Sequence, residues 1–520
     1  MLTFCACGSG SGGDDSQKDE LKPVENENVD KNTSKDAPSY DAEPDVSFLT
    51  VMAGDNFLEE WGENNVISRV FWNSLKLSPE AEINFPALSD AIDDFNETTQ
   101  NDSEDLLYDL CDAAEELYGD EYDPLYLEGD AKILMQRADT SMISFLQDVY
   151  MFYGGVHPDY KYIGVNFDTE TGDRLTLSDV LTDTDEIAEI LTGELLYKYD
   201  YINLNEDELY DILYYYEPED YQWTMDYQGI TFWFSPYDIA AYSAGSFSVK
   251  LYFEDMPELF EEKYTYAPSE NYVVALPLSH DFDFDFIPGD GQKDTVYVYE
   301  TPDMYGGSYN MLSVTVNSET VVDDINYAYD FDVYLAHIGD KNYIYSDSVS
   351  DNGFHMFCTW DINRDLPMQI GKMYSTKLKT EYIEDTYGDG LVYREVFNNP
   401  YDFSLETRFE IWGTRNSEAE FMIDKAVGHP KMTDTAYTFT EGFDVVTAID
   451  LDVTMIPEME ATTIPYGTNL MPLRTDGETY VDCIADNGQE MRLEIDMTTW
   501  PITVNGIPED ECFEELLYAG

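Results

Sequence analysis

Gly154-Gly155-Val156-His157-Pro158, followed by Asn166-Phe167-Asp168 and Thr171-Gly172-Asp173-Arg174-Leu175-Thr176-Leu177, is the stretch on which the reading of this chain turns. Residues 162–168 alternate as a β-strand does. Thr169-Glu170-Thr171-Gly172 then reads as a turn, with Gly172 free to take a positive φ. Ser178-Asp179-Val180-Leu181 is a capped helix start. Upstream, residues 131–137 and 142–150 read as strands joined by Ala138-Asp139-Thr140. Before them an amphipathic helix opens at Pro86 and continues over 103–118, where Leu106, Leu107, Leu110, Ala114 and Leu117 recur at helical spacing. The segment 46–88 reads only as short apolar runs broken by acidic turns. Downstream, 185–199 and 206–215 are helical by periodicity, and 229–234 and 246–253 are strands. Residues 46–265 are therefore expected to form an α+β module with helices on an antiparallel sheet.

From residue 271 onward strand signals dominate, and 295–299, 312–316, 331–335 and 343–345 alternate. Hairpins in series with no clean repeat period predict all-β modules, a sandwich or blade-like units, over 266–435. In 436–520, short strands at 479–484 and 491–495 flank the hairpin turns Asp476-Gly477 and Asn487-Gly488, and a small SH3-like barrel is expected.

The chain has 520 residues, of which 108 are acidic and 26 are Lys or Arg, for a net charge of −82. Nucleic acid is a poor partner for such a surface, because phosphate binding needs clustered cations. Anionic lipid is repelled as well, while basic proteins, basic peptides and divalent cations are attracted. Between residues 181 and 300 there are 27 acidic residues against four Lys and no Arg. That segment is also rich in Tyr and Phe, unlike a disordered acidic tail, so it reads as a folded surface coated with carboxylates.

Residues 1–7, Met1-Leu2-Thr3-Phe4-Cys5-Ala6-Cys7, look like the end of a shortened bacterial lipoprotein signal. Ala6 precedes Cys7, and a Gly/Ser spacer follows it. The charged start and apolar stretch of a full signal are missing. Cys7 is the expected lipidation residue, with Cys5 the alternative; residues 8–45, nearly devoid of large apolar side chains, read as a disordered acidic tether. Lipid is then the chain's only expected hold on the membrane, since no apolar run is long enough to span one. Cys111, Cys358, Cys483 and Cys512 form no CxxC pair; Cys483 and Cys512 are near enough in sequence to pair, but buried free thiols are the commoner state.

Over residues 131–254 the chain resembles the RsiV-like extracellular domain family, the module of the lysozyme-sensing anti-sigma factor RsiV and of the peptidoglycan deacetylase PdaC. The motifs that carry the resemblance are the opening stretch, its continuation Ser178-Asp179-Val180-Leu181, and Thr231-Phe232-Trp233-Phe234-Ser235-Pro236-Tyr237-Asp238-Ile239-Ala240-Ala241-Tyr242-Ser243-Ala244-Gly245. The anti-sigma factor's membrane helix is not visible here, nor are the deacetylase's Asp-Asp pair and helically spaced His. What the resemblance implies is the extracellular binding module, which in the anti-sigma factor takes the basic protein lysozyme.

Candidate sites follow. His157, between Gly155 and Pro158, is placed to bind a ligand or metal, though such a His more often fixes a turn by hydrogen bonding. Tyr215, Tyr216, Glu217, Glu219, Asp220 and Trp223 form an acidic-aromatic run on which Arg or Lys of a partner can stack and pair, unless the aromatics are core. Asp283, Asp285, Asp290 and Asp294 around Gly289 and Gly291 are the calcium candidates. Phe286 and Pro288 stand where such a loop wants carboxylates, and a solvated hairpin turn is the plainer reading. No catalytic set is evident, since Ser243-Ala244-Gly245-Ser246 is not a nucleophile elbow. The expectation is a non-catalytic, lipid-anchored protein on the extracellular face of a bacterial membrane that binds a cationic, lysozyme-like protein. The alternatives are a cell-wall glycan or peptidoglycan binder and, less favoured, an envelope hydrolase using a carboxylate pair.

Overall fold

Two long strands, β1 (Val51–Trp61) and β2 (Val66–Leu77), open the fold where the sequence offered only broken apolar runs. Gly54, Asp55, Asn56, Glu59 and Glu60 in β1 are poor strand formers taken alone. Pairing along the whole of β2 and burial of Val51 and Met52 make them a strand. The computed structural model describes residues 46–518 apart from 63–65, 119–126, 203, 290, 303–307, 351–353, 365, 380–381, 385–391, 401–403, 424–427 and 441–442. Cys7, the tether 8–45 and Asp290 thus lie outside the described residues.

The chain continues through α1 (Pro79–Asn84), α2 (Pro86–Tyr118), β3 (Leu127–Ala138), β4 (Met142–Phe152) and β5 (Asp159–Asp168). A seven-stranded sheet runs Tyr382–Glu384, Val392–Glu395, β1, β2, β3, β4, β5, with β2–β3 its parallel pair. The helix α2 covers one face, burying Leu88, Ile92, Leu110 and Ala114 among Val70, Leu75, Phe145 and Val165 of the strands. The turn after β5 has Gly172 at φ 73°, as its sequence requires. Helix α3 (Leu177–Val180) starts earlier than read: Thr176, two residues before Ser178, is its cap. The Asp179 carboxylate accepts hydrogen bonds from the Thr176 amide and hydroxyl, both at 2.8 Å.

Helices α4 (Ile187–Lys198) and α5 (Glu206–Tyr214) share a core with a three-stranded sheet, β6 (Gln222–Met225), β7 (Gly229–Phe234) and β8 (Phe247–Tyr252). Next come β9 (Asn271–Ala275), β10 (Asp281–Phe284), β11 (Asp294–Pro302), β12 (Tyr309–Val316), β13 (Glu319–Ala328), β14 (Asp330–Ile338), β15 (Lys341–Val349), β16 (His355–Asp361) and β17 (Met368–Tyr374). β10 to β13 form one sheet, and β17-β16-β15-β14-β9 another. The two share a core in which Phe282, Val296, Val314, Leu335, Ile344 and Trp360 meet Leu134, Leu146, Tyr162 and Trp233 of the earlier sheets.

The remaining strands, from Thr376–Lys379 to Phe513–Glu514, make a branched fourteen-stranded sheet. It does not close among the described residues, so the small barrel expected at the end of the chain gives way to an open sheet continuous with earlier strands. The β-rich character and the helices on a mostly antiparallel first sheet are as the sequence indicates. Cys111, Cys358, Cys483 and Cys512 are free, the last three buried; burial pushes the Cys358 thiol up to about 12 and Cys512 to about 11.

One position shows how tightly the sheets are stacked. A Cβ at Gly164 in β5 meets the Trp223 carbonyl oxygen at 2.0 Å, because β6 crosses directly over it. The obstruction is backbone and cannot rotate away. Gly164→Ala is expected to destabilise the protein by about 1–3 kcal/mol or more, read as a lower urea midpoint; an unchanged midpoint would mean β6 is not held against β5.

Candidate functional site

The outer face of the seven-stranded sheet, opposite α2, is covered at one end and open at the other. At the covered end, Leu134, Leu146 and Tyr162 enter the core shared with β10 to β16. At the open end the register lines up one residue from each of five strands: Phe57, Phe71, Asp130, Tyr150 and Tyr160. Phe57 and Phe71 are 61% and 37% exposed, with ring centroids 6.2 Å apart; Trp61, on the same face of β1, is 60% exposed. The Tyr150 and Tyr160 rings meet edge-on at 5.5 Å. The neighbouring row reads Glu59, Arg69, Glu128, with Arg69 bonded to Glu59 at 2.5 Å and lying over Phe71 at 5.3 Å.

Beside this row carboxylates from four strands gather: Asp130 of β3, Asp148 of β4, Glu300 of β11, and Asp330 with Asp332 of β14. Lys132 stands among them, bonded to Asp332 at 2.9 Å, Asp330 at 3.3 Å and the Phe331 carbonyl at 2.6 Å. Burial disfavours its charge, but Asp330 and Asp332 outweigh burial and hold it protonated well above the usual lysine range. Burial first, then repulsion from Asp130 and Glu300, pushes the Asp148 carboxyl up to about 7 against the pull of Lys132. Asp130 stays open to solvent on one side but is walled by protein elsewhere; burial, then Asp330 and Glu128, raise it to about 6. Glu300 and Glu128 are raised by burial too. The arrangement is a cluster of carboxylates beside an exposed aromatic row, with Lys132 the cation among them in the described residues.

His157 lies in the β4–β5 connection and stacks on Tyr242 with centroids 3.7 Å apart. Its Nδ1–H donates to the Pro158 carbonyl at 3.0 Å, and the Tyr242 hydroxyl donates to the same oxygen at 2.6 Å. The two sequence motifs, distant in the chain, thus dock on each other, and His157 fixes the turn while its ring forms part of the surface. Tyr237 beside it is 65% exposed and held at φ 79°, a strained conformation for a tyrosine. The rest of the motif is joinery. The Asn166 side chain donates to the Trp223 carbonyl at 2.8 Å and accepts from the Ser144 hydroxyl at 2.6 Å. Burial disfavours the Asp168 charge, but bonds from Lys263, the Thr171 amide and Tyr264 outweigh it and hold its carboxyl low.

Of the acidic-aromatic run, Tyr215, Glu217, Glu219 and Asp220 are exposed on the turn after α5, and Asp220 closes that turn by accepting from the Glu217 amide at 2.9 Å. Tyr216 is half-buried. Trp223 is 3% exposed: β6 turns it into the core beside Phe232 and Tyr221, so it is removed from that surface. The calcium candidates are engaged otherwise. Asp283 bonds Lys198 at 2.8 Å and the Thr295 hydroxyl at 3.0 Å; Asp285 bonds Lys293 at 2.8 Å. Asp294 accepts from the Phe286 amide at 3.1 Å and the Asn317 side chain at 2.9 Å. Among the described residues no three His, Cys, Asp or Glu side chains converge as a metal site. Lysines supply positive charge beside Asp283 and Asp285. Lys250, without solvent exposure, is paired with Asp226 and bonded to the Asp283 carbonyl at 2.9 Å.

The sequence reading missed the open face, because its five-strand row takes one residue per strand and two of those strands were not read. The signal within reach was Arg69-Val70-Phe71-Trp72, where polar and aromatic residues alternate with buried ones.

No protein-family model matches the chain, and no curated protein matches it. Among solved structures it is similar to a DUF3298 family member from Bacteroides fragilis, with 16% identity, a TM-score of 0.30, and 41% of this chain and 95% of that one covered. It is similar also to a DUF3298 family protein from Pseudomonas aeruginosa, with 18% identity, a TM-score of 0.28, and 43% and 97% covered. Among the described residues no helix is long and apolar enough to cross a membrane.

Asp148 gives a pH dependence of definite sign. Its carboxyl rises from 3.8 to about 7 on folding, so the folded state binds more protons than the unfolded one within that window. Stability from this group is therefore lost as pH rises from about 4 to about 7. Asp148→Asn is expected to flatten this part of the stability–pH curve and raise the melting temperature at neutral pH; a variant with the wild-type slope would place the titration elsewhere. Lys250→Met strands Asp226 in the interior and is expected to cost about 3–5 kcal/mol by denaturant unfolding; a loss below about 1 kcal/mol would show that water reaches that carboxylate.

Proposed function

We propose that this chain is a non-catalytic bacterial surface protein of the RsiV-like extracellular kind, lipid-anchored through Cys7, that binds a cationic, lysozyme-like protein at the cell envelope. The observation that carries this reading is the open acidic-aromatic face. Asp130, Asp148 and Glu300 are crowded carboxylates with raised affinity for protons, and among the described residues Lys132 is the cation that stands with them. An arginine or lysine brought beside them supplies further positive charge and allows those carboxyls to ionise. Phe57, Phe71 and Tyr160, spread along the same sheet face, offer aromatic contacts to other side chains of such a partner. The net charge of −82 speeds the approach of any basic partner, so specificity has to come from this local geometry rather than from charge alone.

A second reading draws on a separate feature. Phe57, Phe71 and Trp61 form an exposed aromatic strip beside hydrogen-bond acceptors, which suits a cell-wall glycan.

The test is a calorimetric titration of the full chain with a basic lysozyme at low and moderate salt. Stoichiometric binding is expected to survive moderate salt and to weaken about tenfold or more in Phe71→Ala and Asp130→Asn. Binding that any equally basic protein reproduces, or that ignores both substitutions, rejects the protein-partner reading. Retention on insoluble peptidoglycan that Trp61→Ala and Phe57→Ala abolish would instead favour the glycan.

A further inference from the structure

Lys250 and Asp226 are bonded to each other with both side chains sealed from solvent. Lys132, Lys198, Lys263 and Lys293 also bond carboxylates, but each keeps part of its side chain in water. Arg137 and Asp139 are sealed as well, yet a guanidinium keeps its charge and offers no free amine. The local fold sets up the Lys250 pair. Asp226 opens the tight turn between β6 and β7, where its Oδ1 accepts the Gln228 amide at 2.8 Å and the Gly229 amide at 3.2 Å. Those two bonds orient the carboxylate and leave Oδ2 to Lys250. Lys250 lies on β8 opposite Thr231 of β7, and its Nζ donates to Oδ2 and, at 2.9 Å, to the Asp283 carbonyl of β10. The rings of Tyr252, Phe282 and Phe284 enclose the Nζ.

We propose that Lys250 and Asp226 condense into an intramolecular amide, a covalent cross-link between β8 and the β6–β7 turn. The hydrogen bond they share sets Nζ next to Cγ, the carbon it attacks. One ammonium proton crosses to Oδ2, leaving an amine beside a carboxylic acid, a neutralisation that the absence of water permits. The Nζ lone pair adds to Cγ. The charge that builds on Oδ1 falls on the Gln228 and Gly229 amides, which already donate to that oxygen. A second proton then passes from Nζ to Oδ2, the Cγ–Oδ2 bond breaks, and Oδ2 leaves as water. Nothing is oxidised or reduced and no co-reactant is consumed. The one N–H left on Nζ still has the Asp283 carbonyl as its acceptor. Holding the amine against the acid supplies the large effective concentration that condensation needs, and the dry surroundings keep water from reversing it.

The cross-link closes residues 226–250 into a covalent ring. That ring carries β7 and the connection to β8, whose Tyr242 stacks on the exposed His157 and meets Tyr237. The surface built by those three rings is thereby fastened to a sheet that cannot unravel at this point. The bond is independent of what the open acidic face takes, and the proposed function stands or falls without it.

The experiment is mass spectrometry of the purified full chain after denaturation and digestion with trypsin. Between Lys198 and Lys263 the sequence offers trypsin Lys250 alone. A condensed Lys250 lacks the charge that trypsin recognises, so residues 199–263 are expected as one peptide, lighter than its sequence mass by one water. Its fragmentation is expected to be silent between positions 226 and 250, where the ring holds both ends of any broken backbone bond. Lys250→Arg is expected to restore cleavage at position 250 and the full sequence mass, a readout that does not require the variant to fold. A wild-type digest that yields 199–250 at its full sequence mass overturns the proposal and leaves an ion pair. Loss of water from 199–250 with cleavage after Lys250 intact overturns it too, because the dehydrated group is then an aspartate acting without the lysine.

Discussion

The fold depends on how a very acidic chain spends its few cations. The segment 181–300 holds only four lysines, and each is committed to a carboxylate: Lys198 to Asp283, Lys250 to Asp226, Lys263 to Asp168, and Lys293 to Asp285 and Asp255. Lys250 is the extreme case. Its ammonium is sealed in with Asp226, the Asp283 carbonyl, and the rings of Phe282, Phe284 and Tyr252 at 4.9, 5.5 and 5.6 Å. Replacing such a pair with apolar residues is often neutral, but removing one member leaves a buried charge unmatched. These pairs therefore specify which strands meet: Lys250 ties β8 to the β6–β7 turn and to β10, and Lys198 ties α4 to β10.

The same scarcity shapes the open face. With those lysines paired elsewhere, the region where the first sheet meets β11 and β14 keeps Lys132 amid Asp130, Asp148, Glu300, Asp330 and Asp332. Those carboxylates cannot all ionise at low cost, and Asp148 and Asp130 hold their protons toward neutral pH. A surface that binds protons this readily will also favour other cations of suitable shape, because both relieve one repulsion.

Much of the architecture was legible in the sequence because it is local. The strands β3, β4, β5, β7 and β8, the helices α2, α4 and α5, and the Gly172 turn follow from periodicity and turn chemistry. What escaped was nonlocal. Strand β1 is a strand because β2 and Val392–Glu395 flank it, not because of its own residues. Asp283 resembled a calcium ligand because no neighbour in sequence reveals that Lys198, 85 positions away, bonds it. Trp223, in a run whose aromatics the sequence left open between surface and core, lies in the core, while Glu217 and Asp220 are exposed. The open sheet at the chain's end has the hairpins of a barrel, and closure depends on pairings between distant strands that turn residues do not encode.

The contrast between the two candidate surfaces follows from the same point. Gly154 to Pro158 and Asn166 to Leu177 are visible as motifs because each performs several local tasks at once: a positive-φ turn, a cap, the Asn166 and Asp168 bonds that fasten β5 to its neighbours. A pattern of that kind is dense in sequence and mostly structural in purpose, with His157 and Tyr242 as its exposed outcome. The row Phe57, Phe71, Asp130, Tyr150, Tyr160 is the reverse, dense in space and scattered over 104 positions, from 57 to 160. A sheet face recruits one side chain from each strand at every second position, so a recognition surface built on it leaves no contiguous motif. The stretch that announces the fold therefore differs from the stretches that equip it to bind, and the row emerges only once the register of five strands is fixed.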